Sequence, residues 1–280
     1  MSIVSSEQLL KDAQLKGCAI GAFNVENMEM VQAVSQAAAD ENSPILVQTT
    51  FSTLNYASPA YFRAMVAAAA SETGAQLVLH LDHGDSIETV KKCVDAGYSS
   101  VMIDGSQLSF EENVALTNKA VEYAHAHGVP VEAELGKVGG KEDDVESDED
   151  NAYIDPAQAE EFVERSGCDS LAVGIGTAHG IYKGEPNIRL DILEEVRKRV
   201  SVPLVMHGTS GVADEIVKEA VKRGICKVNY ATELRVAYTK AIREVLAADE
   251  ELFDPKKYGT KAREYVKAHV CDKIRVCRGN

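Results

Sequence analysis

The chain has 280 residues, of which 45% are hydrophobic and 26% charged, and its 29 basic and 44 acidic residues give a net charge of −15. This balance argues against a broad footprint for nucleic acid or an anionic membrane, but it allows a local site for a small phosphate. No apolar run approaches the roughly 20 residues of a membrane-spanning helix, and the N-terminus lacks the apolar core of a signal peptide. We therefore expect a cytoplasmic protein whose six cysteines, which include no C-x-x-C pair, are reduced.

Short β-rich apolar runs alternate with longer stretches of helical periodicity. Eight strands are predicted, at residues 18–24, 44–50, 76–82, 99–104, 129–135, 170–175, 202–207 and 226–229. The helical stretches are 28–40, 59–73, 87–96, 110–127, 157–166, 190–199 and 213–223, and two more follow the eighth strand. Parallel strands joined by crossover helices explain this alternation.

Eight such units predict an α/β fold, a (β/α)8 TIM barrel that forms a single domain over residues 1–280 with an extra C-terminal helix. An open doubly wound sheet is the alternative. The first strand, however, lacks the Gly-rich phosphate turn that usually follows the first strand of such a sheet.

A block of seven acidic residues occupies positions 142–150, after the fifth predicted strand. Such a charge block is typical of a solvated, mobile loop, and its place inside the chain predicts a long acidic loop that leaves the barrel. Glu142 begins this block and follows Gly139 and Gly140. A flexible acid near a metal-polarised carbonyl is suited to act as a general base.

Polar residues cluster where the predicted strands end. Asp82 and His83 end the third strand, His179 follows the sixth and His207 ends the seventh. Catalytic groups of TIM barrels lie at the C-terminal ends of the strands, so the three histidines should meet at the barrel mouth. Three imidazoles with an open fourth position form a catalytic zinc site, although cobalt, nickel or iron bind similar ligands. Asp82 should lie near the metal without binding it, and His80 is interpreted as structural.

Two turns rich in small and hydroxyl-bearing residues follow the seventh and eighth strands. They read Gly208-Thr209-Ser210-Gly211 and Asn229-Tyr230-Ala231-Thr232. Backbone N–H groups at helix N-termini bind anions, and barrels commonly hold phosphate at these two loops. Each turn alone is also an ordinary helix start, but beside a histidine ligand the pair favours a phosphate site.

These motifs resemble those of the class II, zinc-dependent ketose-bisphosphate aldolases. The resemblance covers nearly the whole chain in order, through the segments Ala22-Phe23-Asn24, Leu81-Asp82-His83-Gly84, 131–136, 139–144, 175–180, 207–211 and Lys227-Val228-Asn229. It is nearest to tagatose-1,6-bisphosphate aldolases, with fructose-1,6-bisphosphate aldolases the close alternative. Ala231 stands where fructose-type members often carry Asp or Asn.

The resemblance implies a role for each matching residue. His83, His179 and His207 would hold the catalytic zinc, and Asp104 and Glu134 match positions where some members hold a second metal. Asp82 would exchange a proton at the C4 oxygen and Glu142 one at C3. The substrate would be bound by Asn24, Gly180, Gly208, Thr209, Ser210, Gly211, Asn229, Tyr230, Ala231, Thr232 and, at the far phosphate, Arg235.

The implied reaction is reversible cleavage of tagatose or fructose 1,6-bisphosphate to dihydroxyacetone phosphate and glyceraldehyde 3-phosphate. The family also leads us to expect a monovalent cation, Na⁺ or K⁺, near the phosphate loops and a homodimer or homotetramer. The partner is a small-molecule sugar phosphate, with no nucleic acid and no membrane.

Four other functions are alternatives. A Schiff-base aldolase needs a desolvated lysine, typically on the sixth strand, which carries none, and Lys227 only flanks the eighth. Barrel metallohydrolases usually open with His-x-His on the first strand, where this chain has Ala22-Phe23-Asn24. A different aldehyde partner for dihydroxyacetone phosphate remains an alternative, as does a non-catalytic sugar-phosphate-binding barrel.

Overall fold

The chain is described here from a computed structural model that covers residues 3–136, 138–142, 145–147, 153–180 and 186–279, with the backbone alone for 139–142 and 145–147. Its strands are β1 Ile20–Asn24, β2 Ile45–Thr49, β3 Leu77–Gly84, β4 Ser100–Ile103, β5 Val131–Leu135, β6 Gly139–Glu142, β7 Val145–Ser147, β8 Ser170–Val173, β9 Ala178–His179, β10 Leu204–Met206 and β11 Ile225–Tyr230. Its helices are α1 Ser6–Lys16, α2 Met28–Asp40, α3 Phe51–Tyr56, α4 Pro59–Thr73, α5 Ile87–Asp95, α6 Phe110–Ala126, α7 Pro156–Ser166, α8 Leu190–Arg199, α9 Asp214–Lys222, α10 Thr232–Ala248 and α11 Pro255–Cys277.

Eight of these strands close into a parallel barrel in the order β1-β11-β10-β8-β5-β4-β3-β2. The predicted TIM barrel is confirmed, and the open doubly wound sheet is wrong. The eight predicted strands all form, with ends that differ from the prediction by at most two residues. Helices α10 and α11 are the two predicted after the eighth barrel strand, and α11 is the extra C-terminal helix.

Local capping sets where several helices begin. The side chain of Asn27 accepts a hydrogen bond from the backbone N–H of Met30 at the start of α2. Ser109 and Glu112 form a reciprocal capping box at the start of α6. The short helices α1 and α3 were not predicted. Leu10 and Ala13 of α1 pack in one buried cluster with the interior strand residues Ile20, Leu46 and Val78, so α1 closes the N-terminal end of the barrel.

Strand residues alternate between the barrel interior and the outer core. On β3, Leu77, Leu79 and Leu81 pack into the large hydrophobic cluster between strands and helices, while His80 and Asp82 lie on the opposite, interior side. Polar side chains can therefore collect inside the upper barrel without interrupting the outer core.

The segment after β5 departs from the prediction of a loop. Strands β6 and β7 pair antiparallel, and β6 also pairs with β9 in parallel register. Charge composition does not reveal that β6 pairs with both β7 and β9. Residues 143–144 and 148–150 of the acidic block lie outside the described residues.

Among the described residues, no helix has the length and apolarity to cross a membrane. All six cysteines are free thiols, as predicted.

Candidate metal and substrate site

Three histidines from separate strand ends meet at the C-terminal mouth of the barrel. His83 lies in β3, His179 in β9 and His207 directly after β10. One ring nitrogen of each lies within 4.8 Å of the other two, and the ring centroids are 4.7 to 6.1 Å apart. The predicted convergence is present, and three imidazoles at this spacing are a donor set suited to Zn²⁺.

The backbone and a carboxylate orient His83. Its φ of +46° lies in the left-handed region that non-glycine residues rarely adopt, and the β3–β4 register shifts between Leu81 and Gly84. The Nδ1 atom lies 2.7 Å from Asp104 Oδ2. Burial would raise the pKa of Asp104, but the hydrogen bonds from His83 and Ser106 outweigh it and hold that pKa well below its usual range. A charged Asp104 fixes the ring so that Nε2 faces the site.

Two carboxylates flank the fully buried ring of His207. Its Nε2 lies 2.9 Å from Glu132 Oε1, and its Nδ1 lies 3.0 Å from Glu134 Oε2. Burial lowers the pKa of His207, but Glu132 and Glu134 raise it to about 9. Within the described residues, His207 Nδ1 and Glu134 Oε2 make no aligned hydrogen bond. With Nε2–H donated to Glu132, a metal ion at Nδ1 would take the place of the proton that the two carboxylates otherwise favour there, so the site fits the expected zinc.

A second set of donors shares His83. One atom from each of His83, Asp104 and Glu134 lies within 4.8 Å of the other two. The residues predicted for a second metal therefore lie together beside the histidine triad.

Two amides hold Asp82 next to the histidines. Asp82 is fully buried, with Oδ2 accepting from Asn24 Nδ2 at 2.9 Å and Oδ1 from Asn229 Nδ2 at 3.0 Å. Gln48 Nε2 in turn donates to Asn24 Oδ1 at 2.7 Å, which fixes which end of the Asn24 amide faces Asp82. The sequence analysis did not identify Gln48. Strand alternation could have indicated it, because Gln48 faces the barrel interior between outward-facing neighbours on β2, as Asn24 does on β1.

Lys227 lies inside the barrel, which corrects the prediction that it only flanks the eighth strand. Its Nζ lies 2.9 Å and 3.0 Å from the two oxygens of Glu132, and both side chains are almost completely buried. Burial would raise the pKa of Glu132, but Lys227 and His207 hold it below its usual range. His80 lies 3.9 Å from the same carboxylate and bonds Ser100 Oγ through Nδ1 at 2.8 Å. Since the Lys227 amine is paired, the cluster favours support of His207 over Schiff-base chemistry.

Replacing Lys227 with methionine is expected to lower the free energy of unfolding by about 3 kcal/mol or more, because the buried Glu132 carboxylate loses its cation. Urea unfolding of the metal-free protein measures this. The control is Lys222→Met, since Lys222 pairs with Glu219 on the exposed surface of α9, where loss of a pair costs at most about 1 kcal/mol. Equal losses in the two variants would contradict a stabilising role for the buried pair.

The two predicted phosphate turns lie against each other and against β9. A Cβ added at Gly208 would come within 2.7 Å of the Ala178 backbone, so this close approach requires glycine. The Thr209 hydroxyl donates to the Asn229 carbonyl and ties one turn to the other. One cavity is lined by His179, Gly180, Gly208, Thr209, Ser210, Asn229, Ala231, Thr232 and Arg235.

Tyr230 does not face this cavity. Its side chain is fully buried, stacks on Phe23 with ring centroids 5.6 Å apart, and lies 3.8 Å from Cys277 Sγ through its hydroxyl. Strand alternation turns the Tyr230 side chain outward from Asn229, so the predicted role of Tyr230 in substrate binding is left to its backbone.

Arg235 lines the cavity but has an acidic partner at its rim. Its Nε and Nη2 lie 2.7 Å and 2.6 Å from Glu26 Oε1. Glu26 Oε2 accepts from Thr53 Oγ1 at 2.6 Å. Glu26 and Thr53 were not among the predicted site residues, and no sequence motif distinguished them.

The backbone of Glu142 ends β6, and the Glu142 side chain lies outside the described residues. In the β6–β9 register Gly140 pairs with His179. Glu142 therefore lies two residues after Gly140, which pairs with the candidate metal ligand His179.

A family model described as class II fructose-bisphosphate aldolase matches residues 4–280. The chain belongs to this family. A fructose-bisphosphate aldolase from Staphylococcus epidermidis is 43% identical over 278 residues, covering 98% of this chain and 97% of the relative. Among solved structures, the YdjI aldolase from Escherichia coli K12 superposes with a TM-score of 0.86 at 36% identity, covering 98% of this chain and 97% of the other.

A fructose-bisphosphate aldolase from Campylobacter jejuni superposes with a TM-score of 0.86 at 24% identity, over 99% of this chain and 95% of the other, and at this identity shows the fold alone. The resemblance to class II aldolases noted in the motifs is confirmed. The family assignment makes this chain an aldehyde-lyase by class.

Proposed function

We propose that the chain catalyses the reversible, zinc-dependent aldol cleavage of a ketose 1,6-bisphosphate, fructose or tagatose, to dihydroxyacetone phosphate and glyceraldehyde 3-phosphate. One observation carries the proposal. A triad of imidazoles, a buried carboxylate held by two amides and two phosphate turns share one barrel mouth. These are the parts that a retro-aldol reaction on a phosphorylated ketose requires.

His83, His179 and His207 would hold the zinc, which when bound polarises the ketone oxygen and stabilises negative charge that develops there. Asp104 and Glu134 would complete a second metal site with His83. A monovalent cation, Na⁺ or K⁺, near the phosphate turns is also part of the proposal. Asp104 on His83 and Glu132 and Glu134 on His207 keep these two rings in fixed tautomers and orientations.

Asp82 would take the proton of the C4 hydroxyl when the C3–C4 bond breaks and return it in the reverse direction. Both its oxygens accept amide hydrogens, which fixes the carboxylate for proton transfer. Within the described residues, Asn229 Oδ1 is buried without a hydrogen-bond partner. It is placed to accept a hydroxyl of the substrate.

The phosphate of the dihydroxyacetone half would bind through Gly180, the 208–211 turn and the residues that open α10. Backbone N–H groups of these loops and of the start of α10 would supply the donors. The contribution of Tyr230 would come from its backbone alone. Binding energy at the phosphate, remote from the reacting carbons, helps to orient the C3–C4 bond.

The test is a coupled cleavage assay with fructose and tagatose 1,6-bisphosphate side by side, with and without EDTA. Cleavage that EDTA abolishes and zinc restores supports the proposal, and the ratio of kcat/KM gives the preferred epimer. If zinc-loaded protein cleaves neither sugar, the proposed reaction is wrong. The alternatives are then an aldolase that uses a different aldehyde or a non-catalytic barrel that binds sugar phosphates.

We also propose that Glu142 exchanges the C3 proton. Changing Glu142 to alanine should slow exchange of the C3 proton of dihydroxyacetone phosphate by about 100-fold or more, because general-base catalysis contributes on that scale. Proton exchange followed by NMR in deuterated buffer measures this, and metal content should stay unchanged. Glu146→Ala, from the same acidic segment, is the control. Normal exchange in the Glu142 variant would mean that the base lies elsewhere.

Residues 1–280 are proposed to act as one domain in a cytoplasmic homodimer or homotetramer, with a sugar phosphate as partner and neither nucleic acid nor membrane. The net charge of −15 supports the exclusion of polyanionic partners.

A further inference from the structure

The guanidinium of Arg235 meets an acidic side chain at the rim of the substrate cavity. Its Nε and Nη2 both contact Glu26 Oε1, at 2.7 Å and 2.6 Å, and Thr53 Oγ1 holds the other oxygen of Glu26 at 2.6 Å. These residues follow β11, β1 and β2, which are neighbours in the barrel. The three side chains form one connected unit, called here the rim clamp.

The rim clamp lies on the side of the mouth where the aldehyde half of the substrate would extend. Asp82, the proposed partner of the C4 hydroxyl, is bonded to Asn24 at the end of β1. Glu26 follows Asn24 by two residues. A substrate that extends from Asp82 past Asn24 and Asn229, the two amides bonded to it, would lead its carbons beyond C4 toward Glu26 and Arg235.

A terminal phosphate at this end would approach Arg235 and Glu26 together. About one third of each side chain is exposed, 33% for Arg235 and 29% for Glu26, so an incoming group can reach the pair. A phosphate is attracted by the guanidinium but repelled by the adjacent carboxylate. A terminal hydroxyl group is not repelled by the carboxylate, and it can donate a hydrogen bond to Glu26.

We infer that Glu26 is a specificity-determining residue that weakens binding of ketoses with a second, distal phosphate relative to those with a hydroxyl at that end. This inference rests on the proposed function for the direction in which the substrate lies. The first phosphate keeps its site in the turns after β10 and β11. Glu26 limits what the second phosphate adds to affinity.

The experiment uses ligands that cannot be cleaved, so that it does not depend on turnover. Hexitol 1,6-bisphosphate and hexitol 1-phosphate lack the carbonyl, and their dissociation constants for the zinc-loaded full chain are measured by titration calorimetry. Glu26→Gln keeps the shape of the side chain and removes its charge. It should tighten the bisphosphate roughly fivefold, the scale of one like-charge contact at the dielectric constant of bulk water, and change the monophosphate by less than about twofold.

The control is Glu233→Gln, because Glu233 lies two residues before Arg235 but pairs with His269 and Lys273. It changes the net charge by the same amount and should leave the ratio of the two constants as in the unmodified chain.

Two results would overturn the inference. Weaker bisphosphate binding by Glu26→Gln would mean that Glu26 only holds Arg235 in place for the phosphate. An unchanged ratio would mean that the distal group does not reach the rim clamp. A chain that cleaves neither sugar but still shows the expected binding ratio would refute the proposed reaction and keep the role of Glu26.

Discussion

Changing His83 to alanine is expected to remove the metal and aldol cleavage together. His83 supplies a donor to the triad, and its ring also contacts Asp104, so the variant loses one of three proposed ligands and leaves a carboxylate without its partner. Loss of several kcal/mol of charge stabilisation on the ketone oxygen corresponds to about a thousandfold slower cleavage or more. Metal content by atomic emission and kcat/KM from the coupled assay are the two measurements.

His127→Ala is the matched control for this variant. His127 is an exposed residue at the C-terminal end of α6, and its Nδ1 contacts only the Tyr123 backbone among the contacts described. It should keep full metal content and activity. Cleavage by metal-free His83→Ala protein would contradict the metal mechanism, whereas loss of activity with full metal content would assign His83 a different role.

The barrel could be predicted from sequence because its signals are local and repeated. Each strand is a short apolar run, each crossover has helical periodicity, and the chain repeats the unit eight times. The proposed metal ligands could be predicted for a related reason. Topology alone brings the ends of parallel strands to one mouth, so residues at strand ends meet whatever the details of packing.

Pairings that depend on side-chain direction could not be predicted in the same way. Lys227 and Tyr230 lie on the same strand, yet one lies inside the barrel with Glu132 and the other in the outer core with Phe23. The register between β10 and β11 shifts near Ile225, so alternation counted from the start of β11 fails at this irregularity, although Lys227, Asn229 and Tyr230 alternate regularly beyond it. The contact between Glu26 and Arg235 spans 209 positions, and no local pattern encodes it.

The acidic segment marks another limit. Charge density indicates contact with solvent, but pairing between β6 and β9 depends on where the chain returns after β8. The pairing of β6, which ends at Glu142, with β9 therefore could not be predicted from the sequence and is seen only in the structure.

Changing Asp82 to asparagine is expected to separate the two proton transfers of the reaction. The amide keeps the size of the side chain but cannot accept the C4 hydroxyl proton, so kcat for cleavage should fall about 100- to 10,000-fold. Asn24 and Asn229 both donate to the native carboxylate, and the new amide offers one oxygen where the carboxylate offered two. The metal ligands are unchanged, so metal content should stay at the unmodified level.

Exchange of the C3 proton of dihydroxyacetone phosphate gives the decisive comparison for Asp82→Asn. That substrate half has no C4, so exchange should continue at a rate near that of the unmodified chain while sugar cleavage is lost. Asp85→Asn is the control, since Asp85 lies just past β3 and bonds Thr89 and Ser86 at the start of α5. If Asp82→Asn stops exchange as fully as cleavage, then Asp82 acts on the dihydroxyacetone half or supports the metal site, and the assignment of separate protons to Asp82 and Glu142 is wrong.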